Sequence, residues 1–379
     1  MPPRIYLDNA ATSWPKPPEV VEAVRKYMTE CGAPAGRSAY ASAQQVERDV
    51  ADARRAVARL LRADDPRQVI FTANGTDSLN LALHGLLRGG DHVVTTVLEH
   101  NSVLRPLHAL QSSGVEVEHV RCGANTIVDP ADIRSAIRPN TKLIALVHAS
   151  NVTGSVQPFE EVYEIARKHD VPVLLDAAQS LGHLPIEVAG RSGLLVAAPG
   201  HKALGGPLGV GILYASPDVP LAPTRQGGTG TKSQEPQQPD SWPDRFESGN
   251  HNVPAILGLA AGIRFADQHP HELQSLHAKL VAGLDTVAGI SIYGSPDERV
   301  GVVSFNVAGW QAQEVAAMLD AAHAIEARAG YLCAPLVHPL LGSEAGGVVR
   351  LSLGRFNTAD QVNLAVAALT EIAASSASF

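Results

Sequence analysis

Hydrophobic and polar positions along the chain alternate between two rhythms. Short runs rich in aliphatic and β-branched residues read as strands: Val69–Thr72, His92–Val97, Val115–Val120, Leu143–His148, Val173–Asp176, Leu194–Ala198 and Val210–Tyr214. Between them, Thr76–Leu87, Leu104–Ser112 and Phe159–His169 carry apolar residues at helical spacing. Near-continuous apolar runs that alternate with amphipathic helices predict an α/β fold. Its seven-stranded sheet is mostly parallel and covered on both faces.

The rhythm breaks at Gln226–Asp244, a Gly-, Gln-, Pro- and Ser-rich stretch that reads as a long surface loop. A long helix over Val253–Gln268 then leads into a smaller α/β part. That part holds a helix over Glu272–Val287, strands at Ile290–Tyr293 and Val302–Val307, and a closing helix over Ala359–Ala374. The first residues, with Pro2, Pro3 and Pro15, read as an extended arm. The expected organisation is an arm (1–15), a large domain (16–255) and a small C-terminal domain (256–379).

Composition narrows the class. At 379 residues, one small core cannot serve the whole chain, and 45% hydrophobic against 18% charged residues argues for a compact fold over disorder. A formal net charge of −8 favours neither nucleic acid nor an anionic membrane as partner. No apolar run is long enough to span a bilayer, and no secretory leader is apparent, so a cytoplasmic location is expected. Cys31, Cys122 and Cys333 lie far apart without a Cys-x-x-Cys pair, which suits a reducing compartment and gives no zinc site.

In open α/β sheets, ligands bind beyond the carboxyl ends of the strands, so polar residues there carry the interest. Asn74-Gly75-Thr76-Asp77 follows a strand and opens a helix, which makes it either an ordinary cap or a turn whose free N–H groups attract a phosphate. Asp176 ends the apolar run Val173–Leu175 and is either a helix cap or the partner of a buried cation, such as a protonated pyridine nitrogen. Lys202, in Pro199-Gly200-His201-Lys202 before Gly205-Gly206-Pro207-Leu208-Gly209, is either an exposed loop lysine or an imine-forming amine in a confined place. The strand that follows does not fit a GxGxxG nucleotide loop. His100 is a cap or a ring-stacking imidazole. Arg350, inside Val348–Ser352, needs a carboxylate from a substrate or from a structural ion pair. Cys333 is an inert thiol or a loop nucleophile.

The order of these motifs carries a resemblance. From Tyr6-Leu7-Asp8-Asn9-Ala10-Ala11-Thr12 to Phe356-Asn357-Thr358 the sequence resembles the class V aminotransferase superfamily, and within it the cysteine desulfurases and selenocysteine lyases. The resemblance implies PLP-dependent transferase fold type I and pyridoxal 5'-phosphate (PLP) held as an imine on Lys202. It further implies that Lys202 moves the Cα proton, that Asp176 pairs with the pyridine nitrogen, and that Gln179 lies near the ring oxygen. His100 is then the stacking and catalytic imidazole. Gly75, Thr76 and His201 hold the phosphate, with Ala198 where relatives often have serine. Thr231, in Gly227-Gly228-Thr229-Gly230-Thr231, is the group expected to reach the phosphate of a partner subunit, which implies a homodimer with shared sites. Asn151 and Arg350 match the positions that hold the substrate carboxylate, and Arg328 is a second candidate contact. Cys333 matches the cysteine that accepts sulfur as a persulfide.

Three departures lie toward the substrate. Relatives usually carry histidine near Tyr40 and histidine immediately before the loop cysteine, where this chain has Leu332. They often read Ala-Gly-Thr-Pro-Asn at Ser248-Gly249-Asn250-His251-Asn252. The expected activity is therefore cleavage of the C–S bond of cysteine or an S-substituted cysteine. A desulfurase would act through Cys333 and hand sulfur to an acceptor protein, whereas a C–S lyase would need no acceptor cysteine. A decarboxylating-deaminating enzyme acting on a cysteine conjugate in antibiotic biosynthesis and a non-catalytic scaffold are the alternatives.

Overall fold

The computed structural model of the chain describes residues 4–36, 38–232, 234–295 and 299–376. Residues 1–3 of the expected arm, Arg37 before Tyr40, Ser233 of the expected surface loop and the last residues, 377–379, lie outside it. In chain order the strands are β1 (Ile5–Tyr6), β2 (Val69–Thr72), β3 (His92–Thr96), β4 (Glu116–Val120), β5 (Thr141–Val147), β6 (Val173–Asp176), β7 (Leu194–Pro199) and β8 (Gly211–Ala215), then β9 (Ile290–Tyr293), β10 (Val302–Val307), β11 (Ile325–Glu326), β12 (Arg328–Gly330) and β13 (Val348–Ser352).

Seven of them form one sheet in the order β2-β8-β7-β6-β5-β3-β4. Only β8 runs antiparallel to its neighbours, so the sheet is mostly parallel. Period-two alternation explains why each strand reads as continuously apolar. Ile144, Leu146, Val173, Leu175 and Val196 point into one core, while Leu143, Ala145, Leu174, Leu195 and Ala197 point into another on the opposite face. Helices cover both faces. The strand ends converge at one edge, and the loops that leave them carry the residues singled out above.

A second sheet, antiparallel and in the order β12-β13-β10-β9, packs under the C-terminal helices. Its core joins Val303, Phe305, Val349 and Leu351 with Leu280, Leu319 and Leu369. The N-terminal segment belongs to this core: β1 pairs in parallel with β11, and Ile5 and Leu7 are buried there. The helix Val253–Gln268 straddles residue 255, and its buried Val253, Ile256, Leu259 and Ile263 join a core of the large sheet. The expected boundary at 255/256 falls inside this helix. Gly262 lets the helix seat directly on the backbone of Leu204 and Gly205, just beyond Lys202, where a Cβ would collide with the Leu204 carbonyl.

Helix Ala41–Leu61 has no counterpart among the sequence expectations. Its buried stripe of Ala43, Val46, Val50, Ala53, Val57 and Leu61 is regular, but alanine dilutes it, and the N-cap Tyr40 makes no capping side-chain bond.

Candidate active site

The turn after β2 is a helix cap, and it leaves donors over. Asn74 caps the helix Gly75–Leu86, accepting the Asp77 N–H through Oδ1 at 2.9 Å, and Asp77 in turn accepts the Ala73 N–H at 2.9 Å. The N–H groups of Gly75 and Thr76 make no hydrogen bond among the described residues, so two first-turn donors remain for an anion. A Cβ on Gly75 would sit 3.1 Å from Cδ of Pro199, which sets the turn against the end of β7.

His100 caps the helix Asn101–Gln111. Its Nδ1 accepts the Ser102 N–H at 3.0 Å and lies 2.9 Å from Ser102 Oγ, which is itself 2.8 Å from Thr76 Oγ1. Burial pushes the imidazole down to about 4, with Lys202, Arg328, Arg350 and Arg105 acting in the same direction. The neutral ring therefore carries its proton on Nε2. Glu99, the preceding residue, is buried; its Oε1 accepts the Thr96 hydroxyl at 2.8 Å and the Val147 N–H at 3.0 Å. It thus ties the segment that carries His100 to the end of β5.

Asp176 ends β6 with 3% of its surface exposed and accepts the Ala178 N–H at 2.9 Å. Burial raises its proton affinity, opposed by the Ala178 N–H and by the charge of Lys202. Lys202 shares that field. Burial lowers its ammonium to about 8; Asp176 and Asp8 hold it up, while Arg350 and Arg328 push it further down. The carboxylate, the amine and the imidazole thus lie within one electrostatic neighbourhood, and hydroxyl contacts extend it to Thr76.

The arm closes over this neighbourhood. The His201 carbonyl accepts Lys16 Nζ at 2.7 Å, the Ser13 N–H at 3.0 Å and the Thr12 hydroxyl at 3.1 Å. Gln179 Nε2 donates to the Ala10 carbonyl at 3.0 Å. His201 Nδ1 is buried without a partner among the described residues. Ala198, by contrast, offers no group toward the turn. Its methyl lies in a core of the large sheet and its backbone sits in the ladder between β7 and β8.

Arg350 is 3% exposed on β13 and has a structural carboxylate partner: Nη2 donates to Asp8 Oδ1 at 2.6 Å, and Nη1 donates to the Asn151 carbonyl at 3.0 Å. Its Nε and Asn151 Oδ1 are buried and unpartnered among the described residues. Arg328 stands directly across the ladder from Arg350, and its guanidinium makes no ion pair or hydrogen bond among the described residues.

Cys333 is exposed, but not on a loose loop. The Ala334 N–H donates to the Tyr331 carbonyl at 3.0 Å, closing a tight turn with Leu332 at φ 51° and Cys333 at φ 60°. Asn151 Nδ2 donates to the Leu332 carbonyl at 2.6 Å, and the Asn101 N–H donates to the Cys333 carbonyl at 2.7 Å. The Leu332 side chain is buried with Leu98, Val147 and Val348. The turn is therefore pinned beside His100.

Two expected residues stay outside this cluster within one chain. Thr231 is exposed and contacts Thr229 Oγ1 at 3.0 Å and Asp244 Oδ2 at 3.2 Å. Tyr40 is exposed, with Tyr27 as its electrostatic neighbour. Four residues of the site gave little sequence signal: Asp8, Lys16, Glu99 and Ser102. Asp8 stands inside the quoted Tyr6–Thr12 motif, but only the fold brings it to its partner.

Residues 5–364 match the family described as Aminotransferase class-V. A probable cysteine desulfurase of Methanothermobacter thermautotrophicus is 36% identical over 97% of this chain and 94% of its own length. Among solved structures, the apo cysteine desulfurase of Thermococcus onnurineus NA1 superposes with a TM-score of 0.91 at 32% identity, covering 98% of this chain and 95% of that one. The cysteine desulfurase CsdA of Escherichia coli gives 0.86 at 28% identity, with the same coverage.

Proposed function

The chain belongs to the class V aminotransferase family, and from that premise we propose that it is a PLP enzyme cleaving the C–S bond of cysteine or an S-substituted cysteine. The residues suit that cofactor. Gly75 and Thr76 offer free helix N-terminal donors, His201 Nδ1 is an unpartnered buried ring atom, and Asp176 is a buried carboxylate suited to a cationic ring nitrogen. When bound, PLP supplies an electron sink that lets a bond at the substrate's Cα or Cβ break at modest cost.

The observation that carries the reading is Lys202, a lysine lowered to about 8 amid Asp176, Asp8, Arg350 and Arg328. Near neutral pH part of its population is a free amine, able to bond a carbonyl and to take a proton from Cα. His100 presents a neutral imidazole with its proton on Nε2. Arg350 Nε and Asn151 Oδ1 are the buried polar atoms left to orient an amino acid's α-groups. Arg328 adds an uncompensated cation beside them.

In the desulfurase reading, Cys333 Sγ attacks the substrate sulfur. An S–S bond forms, the C–S bond breaks, alanine leaves, and the sulfur passes to an acceptor. Exposure of Cys333 on a fixed turn supports this reading. The C–S lyase reading draws on Leu332, which puts a buried apolar side chain, not an acid or base, beside the thiol. Exposure of Thr231 and Tyr40 on one chain agrees with a homodimer whose partner covers them. No helix among the described residues is long and apolar enough to cross a membrane, in keeping with a cytoplasmic setting.

Incubation of the wild type and Cys333→Ala with cysteine and with an S-alkyl cysteine tests the choice. A desulfurase loses nearly all alanine and sulfide formation from cysteine in the variant, whereas a lyase keeps producing pyruvate and thiol from the S-alkyl substrate. Absence of turnover on either substrate by the PLP-loaded wild type would sink both.

A further inference from the structure

A small cavity lies behind the Lys202 turn, apart from the cluster around Asp176 and His100. Ser13 of the arm, Ala203 and Leu204 of the turn, and Arg355 beyond β13 contribute to its walls, and His183 and His271 complete them. Its volume is about 30 Å³, against the roughly 10–15 Å³ that one water needs, so it has room for one small ion. No Asp or Glu lines it among the described residues.

The three nitrogen-bearing side chains feel one another. The rings of His183 and His271 are 6.2 Å apart and tilted by 30°. Burial pushes His183 down to about 4, with His271 and Arg355 acting in the same direction. His271 is lowered as well, by burial first and then by Arg355. Both rings are therefore neutral at pH 7, and each has one N–H to donate. Neither ring makes a hydrogen bond among the described residues, and His183 Nδ1 is buried without a partner. His183 nevertheless keeps part of its surface accessible. For a ring this deep in the chain, that surface belongs to the cavity. Arg355 donates through Nη1 to the His269 carbonyl, which leaves Nε and Nη2 without a bond among the described residues. The one acid that acts on Arg355 is Asp267, which is exposed, outside the cavity and not paired with it. Buried polar groups ordinarily find partners, and here the unpartnered ones are donors around a guanidinium.

We propose that this cavity is a binding site for a small inorganic oxyanion, held by Arg355, His183 and His271, which ties the arm, the Lys202 turn and the segment after β13 together. Arg355 supplies the charge, and each imidazole supplies an N–H. Several acceptor oxygens around one centre suit donors that come from three separate segments, which is why an oxyanion fits better than a single-atom ion. The anion's charge offsets the mutual repulsion of the three groups and so raises the proton affinity of both rings. Binding therefore takes up protons, and affinity rises as pH falls. Arg355 opposes that uptake in both rings and His271 opposes it in His183, while Asp267 acts only on Arg355. The site is independent of the chemistry proposed for Lys202, and no covalent bond is made or broken in filling it.

The test uses the full chain with PLP present, so that an added anion is not competing for an empty Gly75–Thr76 turn. Sodium sulfate is titrated at fixed ionic strength, at pH 6 and at pH 8, with calorimetry for affinity and 15N resonances for the rings of His183 and His271. One sulfate per chain is expected to bind, more tightly at pH 6, with both sets of ring resonances moving together. Arg355→Gln, which removes the charge at a half-buried position, should weaken binding at least about tenfold, and Arg355→Lys should recover part of the loss. His271→Gln should abolish the His183 response without unfolding the chain. Absence of saturable binding overturns the site. So does sulfate that binds Arg355→Gln as tightly as the wild type, or that leaves both rings unmoved. Sodium chloride that displaces sulfate at equal concentration overturns the oxyanion assignment.

Discussion

Arg350 and Asp8, 342 positions apart in the chain, meet through Nη2 and Oδ1 at 2.6 Å. The guanidinium is 3% exposed, whereas the carboxylate keeps 19% of its side chain accessible. The contact fastens the N-terminal segment to β13. It also neutralises a cation that the fold would otherwise bury alone.

Removing that neutralisation has a predictable cost. Asp8→Ala leaves the Arg350 charge buried with only the Asn151 carbonyl for company, and deleting one partner of a buried pair costs about 3–5 kcal/mol. Because Asp8 is partly exposed, the expected loss lies near the lower end of that range. Urea unfolding measures it, and a loss below about 1 kcal/mol would mean that water already serves Arg350 well.

Lys202 should reveal itself in stability as well as in chemistry. Its folded-state value of about 8 lies below the ordinary 10.5, so the unfolded chain binds more protons between those two pH values. The cofactor-free protein therefore gains stability as pH rises through that window, and Lys202→Met removes the gain. The same variant should lose at least about a hundredfold in turnover, since it removes the amine expected to take the Cα proton. Thermal unfolding at pH 7, 9 and 10.5 gives the first result and steady-state kinetics the second. An unchanged pH slope in Lys202→Met would place the amine in water.

Glu99 predicts the opposite trend at lower pH. Burial raises its carboxyl from 4.5 to about 8, and the nearby Asp176 charge adds to this against the Val147 N–H and the Thr96 hydroxyl. The folded chain then holds an extra proton between those values, so this group's contribution to stability falls as pH rises from 4.5 to 8. Glu99→Gln keeps an acceptor for the Thr96 hydroxyl and the Val147 N–H but cannot ionise. The difference in unfolding free energy between pH 5 and pH 8.5 should shrink in this variant, on the order of a few kcal/mol. Equal differences in the two proteins would show that Glu99 is already ionised near pH 5.

These groups mark where the sequence stops being informative. The strands were legible because a sheet buried on both faces writes uninterrupted apolar runs, and β6, β9 and β10 fall where the pattern put them. Lys202, Asp176 and His100 were legible because polar residues at strand ends stand out against such runs. Asp8 was not legible as the partner of Arg350, because an ion pair between β13 and the arm has no local signature. Nor was the Leu332–Cys333 conformation. Two consecutive non-glycine residues at positive φ run against local preference and are held there by distant Asn151 and Asn101. Thr231 and Tyr40 are exposed and outside the cluster on one chain, so their expected roles depend on a second copy.

Gly75→Ala should strike cofactor retention. The new Cβ would lie 3.1 Å from Pro199 Cδ and 3.2 Å from its nitrogen, so the helix start must move away from the end of β7. A displacement of a few tenths of an ångström at two charge-facing N–H groups should weaken phosphate binding about tenfold, which corresponds to about 1.4 kcal/mol. Equilibrium binding of PLP measures it. Undiminished affinity would mean that the turn does not hold the phosphate.

The Cys333 turn offers a separation of strain from chemistry. At φ 60° a residue with a Cβ is held at a cost of about 1–2 kcal/mol that glycine does not bear. The Cys333 side chain is exposed, so replacing it sacrifices little packing. Cys333→Gly should therefore be more stable than Cys333→Ala by about 1 kcal/mol, and both should lack the thiol function. The neighbouring Leu332→Gly also relieves a positive φ, yet it empties a buried leucine site, which costs about 2–5 kcal/mol. Burial wins there, and that variant should be less stable than wild type. If Cys333→Gly proves no more stable than Cys333→Ala, the turn is relaxed and the thiol's placement costs the fold nothing. If it is more stable but inactive on cysteine, the strain is retained for the sake of where the sulfur points.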